Sequence, residues 1–118
     1  MHDYKLYLEQ IVDMIKKISK SNLDKMGPDS LLLDATLMRL QVIGESSKKI
    51  PVKIKKIYPN IPWRALEKMR NFISHNYLGI NEKIIRKSIE KHVLPSELSL
   101  KKILSDKRSD NLWRIPKK

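Results

Sequence analysis

The chain has no cysteine, which excludes disulfides and thiolate metal ligands. Its three glycines, Gly27, Gly44 and Gly79, are too scattered for a phosphate-cradling P-loop or a dinucleotide fingerprint. ATP hydrolysis by this chain is therefore not expected. No run of about 18 apolar residues is available to span a bilayer. The first residues, Met1-His2-Asp3-Tyr4, are polar and begin no signal-peptide core. A cytoplasmic chain with no membrane partner is the expectation. The three histidines, at positions 2, 75 and 92, lack metal-ligand spacing, and no His-Glu-x-x-His pattern occurs. No metal and no cofactor are expected. Acidic residues are also scarce: 13 stand against 25 Lys and Arg, for a formal net charge of +12 over 118 residues. That imbalance attracts polyanions, of which RNA is the commonest in cells. A soluble protein with solvated lysines accounts for the same number.

Apolar residues make up 41% and charged residues 32%, a balance that suits one small globular domain. A chain of this length hides about two-thirds of its surface on folding, so a dimer would add useful burial. No segment alternates with a two-residue period, and helical spacing recurs throughout. Leu8, Ile11, Val12, Ile15 and Ile18 mark a first helix over about residues 4–19. Gly27-Pro28 breaks the chain, and Asp29 or Ser30 can cap the next helix. That second helix, roughly 31–49, carries two apolar stripes. Leu31, Ala35, Met38 and Val42 form one; Leu33, Leu37, Leu40 and Gly44 form the other. Two stripes imply two contacts, the second being a partner subunit or a central place in the bundle. Pro51 precedes a short basic helix to about Tyr58. Asn60 or Ile61 is then a candidate cap, with Pro62 in the first turn of a helix over about 63–77. Leu66, Met69 and Ile73 give that helix its buried face, and Trp63 reads as a packing anchor. Gly79 suits a C-terminal cap and Asn81 an N-cap. Ile85, Ile89 and Val93 align on a fifth helix, which Pro95 should end. Ser96 can cap a sixth segment containing Leu100, Ile103 and Leu104. The expected fold is all-α, an up-and-down bundle of about five to six helices. Residues 1–105 form the domain, and 106–118 form a basic C-terminal tail, loosely held unless Trp113 docks.

Chemistry concentrates in Arg70-Asn71-Phe72-Ile73-Ser74-His75-Asn76-Tyr77. At about 100° per residue, Arg70 and Tyr77 lie nearly one above the other, while Asn71 and His75 share an adjacent face. Cleaving RNA requires deprotonation of the 2′-hydroxyl, stabilisation of a more negative phosphate, and protonation of the leaving 5′-oxygen. A histidine side chain can move protons in either direction near neutral pH. An arginine offers a planar, permanently charged fork to phosphate oxygens. An Arg and a His near a helix C-terminus also satisfy the helix dipole without any catalytic task. Glu45 lies in an apolar helix, where it either pairs with an Arg near the site or reaches solvent at the edge. Asp34 poses a weaker version of the same question. His92 reads as a boundary histidine, and Tyr58 is left open.

Arg70-x-x-x-x-His75-x-Tyr77 resembles the signature of the HepT-like HEPN-domain ribonuclease toxins at every defined position, including the Asn after the Arg. Val42-Ile43-Gly44-Glu45 is similar to that family's second helix. Tyr58-Pro59-Asn60-Ile61-Pro62-Trp63-Arg64 is similar to its entry into the motif helix. The similarity runs from Tyr4 to about Leu104. This resemblance implies an α-helical homodimer with the motif helices facing across one cleft. It implies metal-independent RNA cleavage by Arg70 and His75, with Asn71 and Glu45 in support. It also implies that Tyr77 accepts AMP from a cognate minimal nucleotidyltransferase antitoxin. The alternative is a non-catalytic nucleotide- or RNA-binding partner subunit of such a nucleotidyltransferase.

Overall fold

The computed structural model describes residues 3–106. The expected basic tail, with Trp113, lies almost wholly outside them. Six α-helices follow in order: α1 (Asp3–Lys20), α2 (Leu31–Lys48), α3 (Val52–Ile57), α4 (Trp63–Asn76), α5 (Glu82–Ser88) and α6 (Glu97–Ser105). Among the described residues there is no strand. The all-α, up-and-down bundle read from the sequence is the fold.

The apolar spacing explains the packing. Leu8, Ile11, Val12, Ile15 and Ile18 of α1 are all buried, as are Leu33, Leu37, Leu40 and Ile43 of α2. Each such side chain contributes on the order of 1.5–3 kcal/mol when taken from water. Helix α2 sits centrally, packed against α4 on one side and α1 on another, with α6 closing over α1. Gly44 and Leu40 belong to the buried stripe, and Ala35 and Val42 are half-covered. Leu31 and Met38, on the other stripe, stay 87% and 55% exposed. One copy of the chain thus covers only one of the two stripes.

The helix boundaries follow local chemistry, with five departures from expectation. Ser30 is the N-cap of α2, its hydroxyl accepting from the Leu33 N–H at 3.0 Å. Asp29 instead takes the left-handed conformation (φ 60°), one that Asp tolerates better than most residues. A 3₁₀ turn at Leu23–Lys25, capped by Asn22, was not legible in the pattern. Pro62 is itself the residue before α4, not part of its first turn, and Asn60 and Ile61 precede it. Gly79 is no left-handed cap: α4 runs on into a 3₁₀ turn, Tyr77–Gly79, at negative φ.

The fourth departure is at Pro95, which does not end the helical path. A π-helical turn, Ile89–Val93, and a 3₁₀ turn, Leu94–Ser96, link α5 to α6 without a loop. The Leu94 N–H donates to the Ile89 carbonyl, five residues back. A wider turn shifts the hydrogen-bond register and gives the proline ring room that a regular α-turn lacks. Ser96 is not a side-chain cap there; its hydroxyl donates to the Val93 carbonyl at 2.7 Å. Arg86 of α5 reaches back to Asp24 at 2.6 Å, anchoring this rod to the α1–α2 connection.

Candidate active site

Helix α4 carries the motif, and its apolar face fixes which side chains turn outward. Leu66, Met69 and Ile73 are buried, and Trp63 anchors the start, its indole N–H donating to the Tyr58 carbonyl at 3.1 Å. The Tyr58 hydroxyl in turn bonds the Asp106 carboxylate, which places this tyrosine in the scaffold. Lys55 of α3 pairs with Glu67 at 2.9 Å and braces the same end of α4.

Arg70 sits at the closest approach of α2 and α4. A Cβ built on Gly44 would lie 2.3 Å from the Arg70 Cβ and 2.9 Å from the Leu66 carbonyl oxygen. Only a residue without a side chain lets the helices meet this tightly. The next residue, Glu45, receives the Arg70 Nε at 2.7 Å. Asn71 Oδ1 accepts from Arg70 Nη1 at 3.1 Å. The Asn71 bond uses one of the five guanidinium N–H donors, the Glu45 contact is an ion pair without an aligned hydrogen bond, and the rest of the fork is left for an anion. Both charged side chains are partly solvated, at 34% for Arg70 and 45% for Glu45, so the pair stabilises the fold only weakly. Its effect is on direction. Glu45 draws the guanidinium toward α2.

His75 is exposed in the last turn of α4. Five residues of helix put it about 140° round from Arg70 and about 7.5 Å along the axis. The structure therefore brings Glu45, Arg70 and Asn71 together, while His75 lies one turn beyond Asn71 on the outer face, away from Arg70 and Glu45. Tyr77 follows in the 3₁₀ turn, 52% exposed, with Leu78 fully exposed beside it. Its own dihedrals are helical (φ −49°, ψ −45°), but Asn76 before it departs from the helix (φ −125°, ψ 17°), so the regular α4 spacing that would stack Tyr77 over Arg70 ends there. Asp34 is exposed and His92 is half-buried, as boundary residues.

Gly44 is the functional position that reading by residue type missed. It was visible as one member of an apolar stripe and of the Val42-Ile43-Gly44-Glu45 segment, with no role of its own. The available signal was a small residue at a buried helical position directly before a carboxylate. Beside Glu45, a groove of about 410 Å³ between α1 and α2 is lined by Tyr7, Gln10, Met38, Gln41 and Lys49. Lys49 lies over the Tyr7 ring, 5.3 Å from its centre. Among the described residues, no helix is long and apolar enough to cross a membrane.

Comparison with known proteins gives a consistent picture. The chain is 32% identical to the "Probable ribonuclease HepT" of Thermococcus cleftensis, over 76% of this chain and 86% of that one. It is 28% identical to a provisionally assigned RNase of Caldanaerobacter subterraneus subsp. tengcongensis, over 86% of this chain and 95% of that one. It is also 28% identical to a Methanocaldococcus jannaschii protein named for a gamma-glutamylcyclotransferase and a provisionally assigned RNase. That match covers 96% of this chain but only 54% of the longer protein. No solved structure matches significantly. The family model described as "Ribonuclease HepT-like" matches residues 4–103, from the first turn of α1 to near the end of α6. With that match spanning the whole bundle, the chain belongs to the HepT-like ribonuclease family.

Proposed function

We propose that the chain is a metal-independent endoribonuclease that works as a homodimer, with Arg70 and His75 as its catalytic pair. The observation that carries this reading is the Glu45–Arg70–Asn71 cluster. It presents an oriented, partly solvated guanidinium on the motif helix of a ribonuclease family. In the reaction, the 2′-oxygen attacks the adjacent phosphorus and the P–O5′ bond breaks. The 2′-proton passes to a base, and the departing 5′-oxygen takes a proton from an acid. His75 serves as that base or acid, typically worth roughly 10²- to 10⁴-fold. Arg70 stabilises the charge that builds on the non-bridging oxygens. Products are a 2′,3′-cyclic phosphate and a free 5′-hydroxyl.

A second copy supplies what one chain lacks. Arg70 and His75 of a single α4 diverge around the helix, so one phosphate is best held between Arg70 of one copy and His75 of the other. The exposed stripe of Leu31 and Met38 lies on the same face of α2 as Glu45, by seven-residue spacing. Docking through that stripe closes a dimer beside the Arg70 site.

Tyr77 is the regulatory position in this reading. A cognate minimal nucleotidyltransferase antitoxin transfers AMP from ATP to its exposed hydroxyl, releasing pyrophosphate. Bulk and negative charge at the mouth of a cationic cleft then exclude RNA. The domain proper is residues 1–105, with 106–118 as an appended basic tail.

The test is cleavage of labelled RNA by the purified full chain in excess EDTA. Cleavage that disappears in His75→Ala, with an unchanged melting temperature, supports the assignment. Tight RNA binding without products over long incubation would instead mark a binding subunit and overturn it.

A further inference from the structure

On the side of α4 away from Arg70, a groove of about 260 Å³ separates this helix from α5. Lys68, Met69 and Phe72 form one wall; Ile84, Ser88 and His92 contribute to the other. Phe72 is the only phenylalanine in the chain, and it stands 39% exposed at the groove instead of in the core. Ile84 opposite is 49% exposed. Ser88 and His92 are half-buried and bring polar groups to an otherwise apolar slot. Lys68 is exposed at the rim and makes no ion pair among the described residues.

We propose that this groove seats a nucleobase of the RNA next to the cleaved phosphate, stacked on Phe72 with its backbone held by Lys68. The proposal rests on the nuclease reading above and adds the substrate subsite to it.

Position supports it first. Phe72 is three residues before His75, about 60° and 4.5 Å away on an ideal helix, so the groove opens beside the catalytic imidazole. Charge supports it next. Arg64, Lys68, Asn71 and His75 follow four-, three- and four-residue spacing and are all exposed. They form one outward stripe that leads a phosphate backbone along α4 to His75. Size separates a base from a protein partner. The volume lies just below the ~300–1,000 Å³ of typical small-molecule pockets, and a docked helix is about 10 Å across. The chemistry agrees as well. Single-stranded RNA is read by stacking on aromatic rings, with polar side chains meeting the base edge, here Ser88 and His92.

The experiment compares two probes on the full chain by fluorescence anisotropy: a short 2′-O-methyl RNA, which cannot be cleaved, and an abasic oligomer of equal length. The intact RNA should bind more tightly than the abasic one. Phe72→Leu, which keeps apolar bulk but loses the ring, should weaken intact RNA by roughly 5- to 150-fold. It should leave the abasic oligomer unchanged, and Phe72→Trp should restore the preference. Equal binding of intact RNA by wild type and Phe72→Leu would overturn the proposal, even if cleavage persists. A change in sedimentation with Phe72→Leu, at unaltered base preference, would assign the groove to a second copy and overturn it too. Base preference that follows Phe72 in a chain that never cleaves would uphold the subsite and sink the nuclease reading alone.

Discussion

Gly44 and Arg70 share one point of contact between α2 and α4, where a Cβ on the glycine would fall 2.3 Å from the arginine's. The tight crossing brings Glu45, one residue on, to within 2.7 Å of the guanidinium. Backbone packing and site geometry are thus the same feature. Replacing Gly44 by Ala pushes on the fixed Leu66 carbonyl as well as on Arg70. Gly44→Ala should therefore destabilise by about 1–3 kcal/mol, as overpacked cores do. Thermal unfolding should show a drop of several degrees, with cleavage reduced beyond what the unfolded fraction explains. An unchanged melting temperature would mean the helices part without cost.

Glu45 should matter for rate and not for stability. Its pair with Arg70 is too solvated to contribute more than about 1 kcal/mol. Glu45→Gln keeps an oxygen acceptor, and its melting temperature should stay within about 4 °C of wild type. Its kcat/KM should fall roughly tenfold, through loss of Arg70 orientation. Equal kcat/KM in the two proteins would remove Glu45 from the site.

Arg70→Lys keeps the charge and discards the planar fork. If the guanidinium grips phosphate oxygens while paired with Glu45 and bonded to Asn71, an ammonium cannot replace it. Cleavage should drop at least about 100-fold, a loss typical of one transition-state donor. RNA binding should change far less. Full activity in Arg70→Lys would show that charge alone suffices.

Tyr77→Phe should leave RNA cleavage close to wild type, since the proposed reaction assigns the hydroxyl no part in bond breaking. After co-expression with a minimal nucleotidyltransferase of the proposed kind, intact-mass spectrometry should show AMP additions on wild type and none on Tyr77→Phe. Additions that persist in the variant would place the acceptor elsewhere.

The bundle was legible because its signal is periodic. Ile11, Ile15, Ile85 and Ile89 are core residues for the reason their spacing suggested. The pairing of Glu45 with Arg70 was legible too, as one of the two readings of a carboxylate in an apolar helix. Other features hang on relations that no linear pattern encodes. Pro95 reads as a terminator, yet the π turn before it carries the path on and packs against α4, a contact that only the folded chain shows. Gly79 has the residue type of a cap but lies in a 3₁₀ turn that needs no left-handed residue. The intimacy of Gly44 with Arg70 is a contact across 26 residues, set only when α2 meets α4. The groove at Phe72 is likewise a product of two helices, not of either one.

The most direct measurement mixes two inactive proteins, Arg70→Ala and His75→Ala, after dissociation and reassociation of their dimers. One heterodimer contains a single intact site, Arg70 from one copy and His75 from the other. An equal mixture should recover roughly a quarter of wild-type cleavage, because about half the dimers are mixed and each has one of two sites. No recovery from a mixture shown to form heterodimers would contradict a site shared between copies.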